Sequence, residues 1–230
     1  MTVNSLRTPA ILIDRSRAFR NLDRMQQAAA ARGVRLRPHA KTHKSPVVAR
    51  WQIERGAIGI CCAKLGEAEV FADGIADIRL PYPLNPINAD RVLALLDRTH
   101  LSFIVDHPQV ARQWSEAMTR ARKQVDVLVK VDVGFHRCGI DPAAAAAVAM
   151  IQEVASLPGL RFRGLLSHAG NAYHARSEDE LCRMATDEAK AMRDLADRCR
   201  RAGLLTTVAS TVNAQSAMAA APSATCVRSK

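Results

Sequence analysis

Short apolar runs rich in β-branched residues alternate with helix-signalled runs along the whole chain, and no other feature restricts the fold as strongly. The β-rich runs are 34–41, 57–63, 77–82, 101–106, 126–133, 160–168 and 206–211, with 226–229 an eighth. Several are apolar throughout, as strands covered on both faces must be. The helical run 15–32 places Phe19, Leu22, Met25 and Ala29 on one face and stops at Gly33. Ser45-Pro46 supplies a cap and a first-turn proline for a helix over 46–55 that stops at Gly56. Asp106 before Pro108 and Asp141 before Pro142 repeat that start signal. Ser177-Glu178-Asp179-Glu180 is a capping box opening a long helix that ends near Gly203.

Seven or eight strand-helix units of this even length predict an α/β fold of the (β/α)8 TIM-type barrel class rather than an open doubly wound sheet. Neither a Gly-x-Gly-x-x-Gly nor a Gly-x-x-x-x-Gly-Lys sequence is present to support a nucleotide fold. No linker divides the chain, so a single domain over 1–230 is expected. Its 230 residues fall short of the roughly 250 usual for such barrels, which places the end of the chain within the eighth strand.

Composition narrows the function classes. No apolar run approaches the roughly 18 residues needed to span a bilayer. The N-terminus, Met-Thr-Val-Asn-Ser, has no basic region leading into an apolar stretch, so a cytoplasmic protein is expected. The formal net charge of +11 invites a nucleic-acid reading, but its distribution argues against one. Residues 1–56 carry twelve basic and three acidic side chains, 57–197 carry sixteen and nineteen, and 198–230 carry five and none. With two Trp and two Tyr, no aromatic side chains interleave with the basic ones. The six cysteines, Cys61, Cys62, Cys138, Cys182, Cys199 and Cys226, lack Cys-x-x-Cys spacing and lie in apolar stretches, so buried thiols are expected and no metal site is assigned to them.

In a parallel barrel the functional groups collect at the C-terminal ends of the strands. The distinctive residues fall there: His39 and Lys41 after the first run, Arg137 after the fifth, His168 after the sixth, Ser210 and Thr211 after the seventh. Lys41 sits in Arg-Pro-His-Ala-Lys-Thr-His-Lys, a dense basic cluster closing an apolar strand. A lysine held among cations and partly desolvated favours its amine form, which attacks aldehydes. The alternative is a solvated basic loop. Arg137 lies between two glycines in Asp-Val-Gly-Phe-His-Arg-Cys-Gly, where an ion pair with Asp132 is the structural alternative to a site. Ser-His-Ala-Gly-Asn-Ala-Tyr-His, residues 167–174, gathers two imidazoles and a phenol at one strand end.

Together with Gly-Ile-Cys-Cys-Ala-Lys-Leu-Gly-Glu-Ala-Glu, residues 59–69, these motifs resemble the D-threonine aldolase and D-serine dehydratase family from about Thr8 to Ser229. The resemblance implies an alanine-racemase-like barrel that binds pyridoxal 5′-phosphate. It implies that Lys41 joins the cofactor aldehyde, that Arg137 lies near the phenolic oxygen, and that His168 packs against the pyridine ring. Tyr173 matches a tyrosine at the cofactor of dehydratase-like members, and His174 matches the base of the aldolases. Having both leaves the branch open. Ser210 and Thr211 fall on the family's phosphate-holding Gly-Ser-Thr-Pro-Thr turn, which reads Ala-Ser-Thr-Val-Asn in this chain. Arg228 matches the arginine facing the pyridine nitrogen in alanine racemases.

The implied substrate is a D-β-hydroxy amino acid, cleaved to glycine and an aldehyde or dehydrated. A divalent metal (Mn, Mg or Zn) grips the substrate hydroxyl in the family, through ligands in a C-terminal β-domain that this sequence lacks. A homodimer is implied as well. The alternative in another class is a non-catalytic barrel that carries the cofactor, which the lysine octapeptide disfavours.

Overall fold

The structure, a computed structural model, describes residues 3–210. Six parallel strands pair in sequential order: β1 (Ile60–Cys61), β2 (Asp77–Pro83), β3 (His100–Val105), β4 (Val125–Lys130), β5 (Leu160–Ser167) and β6 (Thr207–Ser210). They form a curled half-barrel with helices on its outer face, which is the expected α/β barrel class in incomplete form. The expected strand over 226–229 lies outside the described residues.

The helices are α1 (Arg15–Ala30), α2 (Pro46–Glu54), α3 (Leu65–Phe71), α4 (Ala89–Leu96), α5 (Pro108–Arg120), α6 (Ala147–Ser156) and α7 (Glu178–Arg201). Their starts follow local chemistry. The Ser45 hydroxyl accepts from Val48 N at 3.4 Å, with Pro46 opening α2. The Ser177 hydroxyl accepts from Glu180 N at 3.1 Å, with three acidic residues in the first turn of α7 and three arginines in its last.

Three expectations differ. Residues 34–38 form no regular strand; this segment meets β1 through a bridge between His39 and Cys61 and a bond from Cys61 N to Pro38 O at 2.7 Å. Pro38 has no N–H to donate, and the chain turns at once into a 3-10 turn at Ala40–Thr42. Asp106 does not cap α5: His107 does, its Nδ1 accepting from Gln109 N at 3.2 Å, while the Asp106 carboxylate accepts from Gly139 N at 3.1 Å. Asp141-Pro142 opens a turn rather than a helix, and α6 begins only at Ala147. Arg198 of α7 holds that turn by donating to the carbonyls of Pro142 at 2.7 Å and Ala144 at 2.9 Å, which outweighs the helix preference of the alanine run.

Alternation along each strand builds two interiors. One set of side chains, including Phe103, Val105, Val127, Val129 and Leu165, packs against the helices with Trp114, Met118, Ile151 and Leu195. Trp114 is fully buried, stacks on Phe103 with centroids 4.7 Å apart, and donates Nε1–H to Leu84 O at 2.9 Å. The other set points into the lumen, where Ile104, Leu128 and Leu166 form a separate apolar layer with Ala209. Below that layer the lumen is polar; above it lies the C-terminal mouth. Cys61, Cys62 and Cys199 are buried and Cys138 and Cys182 half-buried, and none of these five is in a disulfide.

Trp114 ties α5 to β3 and to the loop after β2, so Trp114→Ala removes packing and orphans the Leu84 carbonyl. The expected loss is about 3–5 kcal/mol, read from urea unfolding followed by circular dichroism.

Candidate functional site

The C-terminal mouth is assembled from three loops. The first presents Lys41. His39 caps the Ala40–Thr42 turn, its Nδ1 accepting from Lys41 N at 3.3 Å, and Thr42 Oγ1 donates to His39 O at 3.3 Å. Ala40 is fully buried beneath. The loop is tied back by an ion pair of Lys44 with Glu67, whose other carboxylate oxygen accepts from Ala63 N at 2.7 Å. Lys41 itself is exposed, so the expected desolvation of its amine is absent. Its segment has β1 as its strand neighbour.

Burial, the positive charge of Lys41 and that of His168 together pull the His39 imidazole down to about 4, against the opposing pull of Glu67. His39 is therefore neutral at pH 7, and Lys41 and His168 are both close enough to act on it.

The second loop follows β4. Asp132 Oδ1 accepts from the backbone N–H of Gly134, Phe135 and His136 at 3.0, 3.1 and 3.0 Å, and Oδ2 meets His136 Nδ1 at 2.9 Å. Burial pushes this carboxyl up, but the His136 and Gly134 N–H groups and the imidazole outweigh it and hold it below the usual range. The ion pair between Arg137 and Asp132, one of the two sequence alternatives, is therefore not formed. Arg137 lies over the Phe135 ring, 5.0 Å from its centroid, and is exposed to the mouth. Gly139 closes the loop at φ +117, and a Cβ there would stand 2.6 Å from Asp132 N, so glycine is required.

The third loop follows β5. His168 is half-buried between Phe135, edge-on at 5.6 Å, and Tyr173 at 6.1 Å. A Cβ on buried Gly170 would stand 2.6 Å from the Phe135 ring, so this glycine sets the distance between the second and third loops. Tyr173 is 58% exposed, and His174 is exposed at the end of the short 3-10 helix Gly170–His174.

A small cleft lined by Lys130, Val131, Asp132, Phe135, Arg137, Cys138 and His168 joins the second and third loops. Lys41 approaches the same mouth through His39. Ser210 is the last described residue, in register with Ser167 at the end of β6; Thr211 and Arg228 lie outside the described residues.

The sequence reading missed Lys130. It follows Asp126 and Leu128 by the strand period, so it faces the lumen, and it is only 3% exposed. Its Nζ has no hydrogen-bond partner. Burial first, and then the nearby Arg137, lower its amine to about 8, against Cys138, Glu188 and Asp132. Nearby, Ser167 Oγ donates to the buried Glu188 carboxylate at 2.6 Å. The available signal was the strand period itself, which puts a lysine on the same face as Asp126 and Leu128.

These features define a class: a parallel half-barrel whose C-terminal mouth gathers cationic and aromatic side chains in one cleft and presents an accessible lysine on a neighbouring turn. The chain belongs to the family described as "Alanine racemase, N-terminal domain", matched over residues 13–229. It is similar to a D-threonine aldolase of Arthrobacter sp, 38% identical over 202 residues that make up 86% of this chain and 52% of that protein. It is similar to D-threo-3-hydroxyaspartate dehydratase of Delftia sp. (strain HT23), 35% identical over 95% of this chain and 58% of that protein. The crystal structure of D-threonine aldolase from Filomicrobium marinum superposes with a TM-score of 0.86 at 36% identity, covering 93% of this chain and 59% of that one. The chain thus spans about half the length of the curated relatives it matches.

Two outcomes follow from the buried bases. Lys130 carries a proton at pH 7 in a site that disfavours charge, so Lys130→Met stabilises the fold at pH 7. The folded pKa lies below the unfolded one, so wild-type stability rises between about pH 8 and 10.5 and the advantage of the variant shrinks there. Urea midpoints at pH 7 and pH 9.5 check this. His39 has the same sign at lower pH: its contribution is complete above about 6.5 and lost as pH falls towards about 4. The stability difference between wild type and His39→Gln, measured across that window, changes in that direction.

Proposed function

We propose that this chain is the cofactor-binding barrel of a pyridoxal 5′-phosphate-dependent lyase acting on D-β-hydroxy amino acids, of the D-threonine aldolase type. The observation that carries this reading is the accessible Lys41, held on a capped turn beside a neutral His39 that feels both Lys41 and His168. The residues present fit the cofactor. The mouth pairs an amine with an imidazole ring flanked by aromatic rings, and it holds two further cations, exposed Arg137 and unpartnered Lys130, that suit an anionic aromatic phosphate.

When bound, pyridoxal phosphate ties up an amine through its aldehyde and draws off the electron pair left by bond cleavage at the adjacent carbon. Lys41 would supply the protein's amine. His168, braced by Phe135, would hold the cofactor's ring, and Arg137 would hold its phenolic oxygen as an anion. By the family resemblance, Ser210 and Thr211 would hold the phosphate and Arg228 would serve the ring nitrogen. His174 would take the proton from the substrate hydroxyl as the Cα–Cβ bond breaks and the aldehyde leaves, and return of a proton to Cα would give glycine. No group of three or more His, Cys, Asp or Glu side chains able to hold a metal occurs among the described residues.

One observation favours a second reading, a dehydratase of the D-serine or D-3-hydroxyaspartate kind. The Tyr173 ring lies 6.1 Å from that of His168, which supports a phenol beside the cofactor. The substrate Cα proton would then be removed and the hydroxyl expelled.

Titration of the protein with pyridoxal phosphate is expected to give a visible absorbance band that Lys41→Ala abolishes. Glycine released from D-threonine marks the aldolase, and pyruvate from D-serine marks the dehydratase. A band without either product marks a cofactor-carrying barrel, and no band at all sinks both lyase readings.

A further inference from the structure

The lumen holds a second group of charged side chains, at the opposite mouth from Lys41. Strand register sets Cys61 beside Arg79, Arg79 beside Ser102, Ser102 beside Asp126 and Asp126 beside Arg161, so one layer of the half-barrel is a row of polar residues. Two residues earlier on their strands, Asp77 and His100 are paired in the same way. Period two places all of these on the lumen face.

The ion pairs confirm that placement. Arg37 grips Asp77 with both ends of its fork, at 2.6 and 2.8 Å. His100 bridges the two acids, 3.3 Å from Asp77 and 3.0 Å from Asp126. Arg161 Nε donates to Asp126 Oδ1 at 2.7 Å, and Arg163 Nε lies 3.4 Å from Oδ2. Arg79 Nε donates to Ser102 Oγ at 3.0 Å.

Four guanidiniums thus face two carboxylates, and the carboxylates are already engaged on both oxygens. The terminal nitrogens of Arg79, Arg161 and Arg163 meet no acceptor among the described residues. Asp126 is 5% exposed on its side chain while Arg163 is 60% exposed, so the cluster runs from a dry floor to an open rim. A deficit of two negative charges with spare planar donors in a partly desolvated lumen matches an oxyanion with two charges. The apolar layer of Ile104, Leu128, Leu166 and Ala209 lies between this cluster and the Lys41 mouth, so the two are separate compartments.

We propose that the N-terminal mouth of the half-barrel is a second binding site, for a small dianionic oxyanion of the phosphate or dicarboxylate kind, held by Arg79, Arg161 and Arg163.

The test is calorimetric titration of the full chain with inorganic phosphate and with malonate, at constant ionic strength, on four proteins: wild type, Lys41→Ala, Arg161→Gln and Arg163→Gln. At least one anion is expected to bind wild type and Lys41→Ala alike. Each arginine variant is expected to weaken that binding by about tenfold or more. Whichever anion binds more tightly identifies the phosphate or the carboxylate source. Arg163 is exposed enough for its variant to fold, and thermal melts verify that both variants do. Absence of binding to wild type by either anion overturns the proposal. So does binding that both arginine variants retain but added pyridoxal phosphate displaces, because that anion sits at the opposite mouth.

Discussion

The fold depends on hydrogen-bonded pairing of successive parallel strands, each of which must send alternate side chains to helices and to a shared lumen. Because the strands pair in sequential order from β1 to β6, with register shifts after Leu80 and after Val127, residues far apart in sequence are stacked into layers. The outer set is largely apolar and holds the helices. The lumen set is divided, polar below, apolar in the middle and cationic at the top. That division allows one barrel to present two mouths of different character.

At the upper mouth, loop geometry takes over from register. Asp132 folds its loop by accepting three backbone N–H groups, which frees Arg137 to face the cleft. Gly139 lets that loop close over Lys130, and Gly170 lets the third loop touch Phe135. Lys41 is held by a different device, a histidine cap and an ion pair to Glu67. The three loops converge on His168, which contacts Phe135 and Tyr173 and acts electrostatically on His39. A site built this way carries buried charge that costs stability, a common property of sites kept for chemistry rather than for folding.

Much of this was legible in the sequence. The strand-helix alternation gave the fold class, because apolar runs and caps are local signals. The positions of Lys41, Arg137 and His168 followed from the rule that strand ends gather function. Other features were hidden because tertiary contacts decide them. Pro38 made the first strand irregular, Arg198 unwound the expected helix start at Pro142, and Asp106 left its capping role for Gly139. Lys130 read as an ordinary strand end because the loop that buries it arrives from the following ten residues. The alternation of Asp77 with Arg79 was visible as a period of two, but its meaning needed the register between strands, and Arg163 joins the cluster at the register shift after Phe162.

The central claim is that the exposed lysine on the capped turn forms the covalent link to the cofactor. Borohydride reduction of the protein mixed with pyridoxal phosphate, followed by peptide mass mapping, tests it directly. The account predicts a reduced pyridoxyl adduct on the peptide carrying Lys41. An adduct confined to Lys130, Lys44 or another lysine, or no adduct at all, would contradict it.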